Sequence, residues 1–106
     1  MEDLEILELK YPKVPRHAME SLQNYFKHGW EPGSFMVSVL TNDLYGAAAR
    51  ADHINKPAIA YIVEYIINHA PNGSWGSVEL VNDWIDHGIH FQRYEKQRLV
   101  DILSTP

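Results

Sequence analysis

Asp43 and Arg50 are the residues of this chain best placed to do chemistry, because they interrupt an apolar helical pattern running from Pro32 to Asn55. Each residue of a helix advances about 100°. With Phe35 at zero, Val39, Met36, Ala47, Leu40, Ala51, Leu44, Val37 and Ala48 fill one broad arc, and Asp43 and Arg50 fall inside it about 20° apart. A charge on a packing face is costly unless paired, so each needs a partner: an internal group, a second subunit or a ligand. As a ligand site, Arg50 would offer a planar fork to phosphate or carboxylate, while Asp43 and Asn42 accept hydrogen bonds from a base edge or a peptide. As structure, Asp43 would cap a helix or pair with a base, and Arg50 would lay its stem on apolar surface. Internal satisfaction is the commoner outcome in small cores.

Two Gly-Ser pairs, Gly33-Ser34 and Gly76-Ser77, stand at expected helix starts, where unpaired N–H groups and the helix dipole attract anions. Phe35 and Trp75 adjoin them and could stack on a base, although capping and core packing are the ordinary uses of such residues. The six histidines raise a metal site, with Asp83, His87 and His90 its best members. A histidine near a helix C-terminus needs no metal to be stable, and nothing here matches a His-Glu-x-x-His helix. Asp52 with His53 and Glu64 with Asn68 read as surface or capping pairs. Ser34, Ser38 and Ser77 lack a histidine at a diagnostic spacing, and Tyr61 and Tyr65 suit interhelical packing. No catalytic residue, metal ligand or cofactor is assigned, and the chain is expected not to be an enzyme.

The elements that must position these residues are punctuated clearly. Leu4, Ile6, Leu7 and Leu9 alternate with glutamates but slip by one residue at Ile6-Leu7, which suggests a bulged extended arm over 1–12, with a single helical turn as the alternative. From Pro15, Met19, Leu22, Tyr25 and Phe26 recur at helical spacing up to Gly29. Ser34 then caps a second helix from Phe35 to about Asp52; Asn42-Asp43 could break it, but the apolar arc continues in phase and favours one helix. Asn55 caps a third helix with Pro57 in its first turn and a stripe of Ile59, Ile62, Val63, Ile66 and Ile67. Ser77 caps a fourth, faced by Val78, Val81, Trp84 and Ile85, and a fifth spans about 92–103. The expectation is an all-α fold: a single domain over 1–106, with a compact bundle of about five short helices over 15–103 and a short extended N-terminal arm or strand.

Composition narrows the function. The 106 residues fit one core, and 45% hydrophobic with 22% charged is ordinary for a globular protein. A net charge of −5 without a basic run argues against extended nucleic acid, while leaving room for a local anion pocket. There is no cysteine, hence no disulfide, thiolate chemistry or Cys-type zinc site. The acidic start does not read as a signal peptide, and no apolar run is long enough to span a bilayer. No membrane association and a cytoplasmic location are expected.

Gly29-x-x-Pro32-Gly33-Ser34-Phe35, Val39-Leu40-x-Asn42-Asp43-Leu44, Arg50-Ala51-Asp52-x-x-Asn55 and Trp75-Gly76-Ser77 with Trp84 resemble a group of small proteins encoded by tailed bacteriophages and prophages. The likeness spans about Phe26 to Ile85. The group carries no settled activity, so the resemblance transfers no catalytic residue. It implies a protein made in the cytoplasm of an infected bacterium. Small early phage proteins often act by stoichiometric binding, including counter-defence proteins that sequester nucleotide immune signals. The expectation is therefore a non-enzymatic, homo-oligomeric binding protein that sequesters a small anionic ligand, with Gly33, Ser34, Phe35, Asn42, Asp43, Arg50, Trp75 and Ser77 around the site. The alternative is a protein–protein module that inhibits a host factor through its acidic surface and the aromatics Trp30 and Trp75. A phosphohydrolase would need a carboxylate cluster that the sequence does not display.

Overall fold

The structure is a computed structural model and describes residues 3–87. Within them six α-helices run in order: α1 Leu4–Lys10, α2 Arg16–His28, α3 Ser34–Leu40, α4 Leu44–Arg50, α5 Ile59–His69 and α6 Val78–His87, with a 3-10 turn at Lys56–Ala58. The all-α class holds, and no strand occurs among the described residues. The expected fifth helix at 92–103 lies outside them.

The N-terminal segment is a helix where an extended arm was expected. Asp3 caps it by accepting from the Glu5 N–H at 2.8 Å. Leu4, Leu7 and Tyr11 then share one face and pack on the core, while Ile6 and Leu9 face outward. The apparent slip in alternation at Ile6-Leu7 was thus a helical spacing of three and four. The Tyr11 hydroxyl lies 2.9 Å from His69 Nε2 and accepts from Asn68 Nδ2 at 3.1 Å, which ties the end of α1 to the end of α5.

Helix α2 follows its periodicity. Ala18, Met19, Leu22, Tyr25 and Phe26 are buried, and Gly29 stops the helix at φ 72°. Pro15 sits one residue before the helix, as its N-cap. The expected helix from Phe35 to Asp52 is instead two helices joined by a sharp elbow. Asn42 adopts φ 64°; its N–H reaches Val39 O at 3.2 Å and the Asp43 N–H reaches Ser38 O at 2.8 Å. That is a Schellman stop with asparagine in the left-handed position. Asp43 then caps α4, its Oδ1 accepting from the Gly46 N–H at 2.8 Å. Adjacent residues therefore end one helix and start the next, so the phase of the apolar arc was no guide to a continuous backbone.

Helix α5 buries Ile62, Tyr65 and Ile66 but turns Ile67 outward, so Tyr65 takes a place in the core that the isoleucine stripe had assigned to Ile67. Asn55 precedes the 3-10 turn without a side-chain cap bond. Asp52 supplies the polar turn, its Oδ1 accepting from the Ile54 and Asn55 N–H groups at 3.0 and 2.7 Å. Ser77 caps α6 as expected, accepting from the Leu80 N–H at 3.1 Å. At the centre, Trp84 Nε1 donates to Tyr25 O at 2.7 Å and Tyr25 donates to Ser74 O at 2.6 Å. These bonds lock α6, α2 and the 71–76 loop together and satisfy the buried indole N–H of Trp84 and hydroxyl of Tyr25.

Candidate functional site

The elbow between α3 and α4 organises the polar residues of this molecule. Ser34, Ser38 and Thr41 recur at helical spacing along α3. Ser38 Oγ donates back to Ser34 O at 3.1 Å, and Thr41 Oγ1 donates to Val37 O at 2.8 Å. The elbow folds α4 back so that Arg50, from its last turn, reaches this stripe: Nη1 donates to Ser38 Oγ at 3.0 Å and lies 3.7 Å from Asp43 Oδ2. At that distance the contact with Asp43 is ionic without a hydrogen bond.

The two charges are not buried, which corrects the premise of an apolar face holding both. Their side chains are 49% and 50% exposed, because the break at 41–43 swings them to the surface. A pair this exposed is worth at most about 1 kcal/mol.

Gly46 makes the arrangement possible. A Cβ at this position would fall on Asp43 Oδ2 and Arg50 Nη1, and within 2.7 Å of Asp43 Cγ. Asp43 and Arg50 thus lie directly across the backbone of α4 at the one residue that has no side chain to keep them off.

Beside the pair opens a groove of about 350 Å³, lined by Glu31, Ser34, Val37, Ser38, Thr41, Asp43, Arg50, Val78 and Asn82. Hydroxyls, two carboxylates, one carboxamide and one guanidinium face it, with two valines as its apolar part. On the other side of Asp43 is a smaller cavity of about 80 Å³, lined mainly by Val39, Leu44, Ala47, Ile59 and Val63. Asp43 and Ser38 stand between the two spaces.

Of the residues expected at a site, the structure brings Ser34, Asp43 and Arg50 together at the groove. Asn42 lines the smaller cavity and donates from Nδ2 to Gly76 O at 3.1 Å, so its amide is spent on the 71–76 loop. Phe35 and Trp75 are partly buried against the core and do not line the groove. Ser77 is occupied in capping α6. Gly33 is the N-cap of α3, the position assigned to Ser34, and makes no side-chain bond. The seven-residue helix it starts is too short to make an anion site of its N-terminus. Glu31, Thr41, Asn82 and Gly46 were not anticipated. The 34-38-41 stripe was a readable signal for Thr41, whereas Asn82 arrives from α6, distant in sequence, and Glu31 stands in the loop just before α3 with no periodic signal to mark it.

The arrangement is not that of an activated nucleophile. Ser38 gives its proton to a backbone carbonyl and receives a hydrogen bond from a cation, the reverse of a serine paired with a base. Among the described residues, no three His, Asp or Glu side chains gather as metal ligands. Of the proposed metal set, His90 lies outside the described residues. No helix among them is long and apolar enough to cross a membrane.

The chain matches no protein-family model, no curated protein and no solved structure.

Proposed function

We propose that this protein works by non-catalytic, stoichiometric binding, and that the α3–α4 groove takes a small anionic ligand of the nucleotide class. The observation that carries this reading is the placement of Arg50. Ser38 holds one of its nitrogens, the side chain is half exposed at the groove, and apart from the ion pair with Asp43 its remaining donors make no hydrogen bond among the described residues. A guanidinium so oriented can grip phosphate through two parallel hydrogen bonds. Ser34 and Thr41 supply hydroxyls beside it, and Asn82 can both donate and accept. The groove volume falls at the lower end of the range for small-molecule sites. The resemblance to phage proteins supplies the biological setting: sequestration of a nucleotide immune signal in the cytoplasm of an infected bacterium.

A second reading, inhibition of a host protein, draws support from Leu44 and Tyr45. These residues are 72% and 87% exposed at the start of α4, immediately after Asp43. Adjacent exposed apolar and aromatic side chains suit a protein contact. Self-association would use the same surface, and light scattering would measure it.

Titration calorimetry with a panel of linear and cyclic nucleotides tests the first reading. Saturable binding that Arg50→Ala abolishes, with the thermal midpoint of the free protein kept, is the expected result. If no nucleotide binds and Tyr45→Ala instead disrupts capture of a defined host protein, the second reading replaces it.

A further inference from the structure

We infer that Asp43 is a resident competitor for Arg50, an internal carboxylate that holds the position an anionic ligand must take. The inference rests on the groove being an anion site and concerns how that site is regulated.

The geometry is unusual for a helix cap. Asp43 uses Oδ1 to receive the Gly46 N–H at 2.8 Å, which fixes the carboxylate at the head of α4. Its second oxygen is thereby aimed along the helix at the Arg50 guanidinium, 3.7 Å away. The missing side chain at Gly46 clears the path between them, since a Cβ would occupy the space where both groups meet. A capping serine or asparagine would satisfy the backbone equally well without bringing a charge. The aspartate therefore adds a negative charge to the groove that the helix does not require.

Any anion bound to Arg50 must sit close to Asp43 and meet like-charge repulsion. Glu31 on the same groove adds to that field. Because the Asp43–Arg50 contact is ionic, half exposed and without a hydrogen bond, displacing it costs little. The result is a site that tolerates the anions of the cytoplasm poorly and yields to a ligand bringing further contacts to Ser34, Thr41 or Asn82. Asp43 is thus a selectivity residue for the groove.

Asp43→Asn isolates the charge, because asparagine keeps the cap acceptor for Gly46. Calorimetry at low ionic strength with inorganic phosphate and with AMP, on the native chain, Asp43→Asn and Arg50→Ala, is the test. The expected result is phosphate binding about fivefold tighter in Asp43→Asn than in the native chain, the order a half-exposed charge pair supplies. Arg50→Ala binds neither probe, and thermal midpoints report that Asp43→Asn keeps the fold. If Asp43→Asn binds phosphate no more tightly than the native chain while Arg50→Ala abolishes binding, the competitor role is overturned and the anion site survives. If the native chain and Asp43→Asn bind neither probe, the site and the competitor fall together.

Discussion

Arg50 Nη1 lies 3.7 Å from Asp43 Oδ2 across the backbone of α4, directly over Gly46. In the sequence these residues are seven apart, two helical turns, and the spacing alone would let each find its own partner elsewhere. What joins them is the cap. Asp43 is held at the helix start by the Gly46 N–H, and Arg50 folds back from the last turn over Gly46, where a Cβ would stand in its way.

Gly46→Ala separates the roles of fold and site. Alanine favours a helix interior over glycine by about 1 kcal/mol, and Gly46 has no backbone angle that requires glycine. The new methyl group displaces the Arg50 tip, which is flexible, and the Asp43 carboxylate, which is a cap. Gain and loss nearly cancel, so denaturant unfolding should place the variant within about 1 kcal/mol of the native chain. Ligand binding at Arg50 should nevertheless be lost. A variant with intact binding would show that Arg50 does not need its seat over Gly46.

Asn42 carries the elbow. A non-glycine residue in the left-handed region pays about 1–2 kcal/mol, and asparagine pays less than most. Asn42→Ala should destabilise by about 1 kcal/mol, through that strain and the loss of the Nδ2 bond to Gly76 O. Asn42→Gly should fall within about 0.5 kcal/mol of the native chain, because it relieves the strain while forfeiting the side-chain bond. Equal destabilisation by both substitutions would mean that the side-chain bond, and not the turn geometry, is what matters.

How far the sequence could be read follows from which forces are local. Helix α2 and the capping of α6 were legible because apolar spacing, Gly29 and Ser77 act within a few residues of where they stand. The elbow was harder. Asn42-Asp43 signalled a break, but a Schellman stop costs only three residues, and the apolar pattern resumes afterwards close to its former phase. Helix α1 was misread as extended because Leu4, Leu7 and Tyr11 form a helical face in a segment too short to display more than one repeat. At the site, Asp43, Arg50 and Ser34 stood out by type and position. The contributions of Glu31 and Asn82 depend on the packing of α6 and the α2–α3 loop against the elbow, which no local pattern encodes.

Tyr25 makes the fold sensitive to alkali. Burial raises its phenol above the usual tyrosine value of 10.0, because the core disfavours the phenolate. The folded state therefore holds the proton longer than the unfolded chain. Stability from this group is fully present below about pH 10 and declines as pH rises further, when the unfolded chain ionises first. Tyr25→Phe should cost about 1–3 kcal/mol at neutral pH by leaving the buried Ser74 carbonyl without its 2.6 Å partner. The same substitution should flatten the loss of stability above pH 10, measured by urea unfolding across pH. An unchanged alkaline slope would overturn the assignment of that loss to Tyr25.

Tyr11 anchors α1, and its removal should act locally. Its ring meets Tyr65 edge-on at 5.2 Å between centroids, and its hydroxyl joins Asn68 and His69 on α5. Tyr11→Phe keeps the ring contact and removes both hydroxyl bonds, which are partly exposed, so the cost should be about 1 kcal/mol. Since α1 buries only Leu7 fully, this helix should open ahead of the remainder of the fold. Hydrogen exchange should show faster exchange at the Leu7 and Tyr11 amides, which are bonded to Asp3 O and Leu7 O at 3.1 and 2.8 Å, with α2 and α5 unchanged. Equal acceleration across α1, α2 and α5 would instead mean that α1 unfolds only with the whole domain, and that the Tyr11 bonds contribute to global stability.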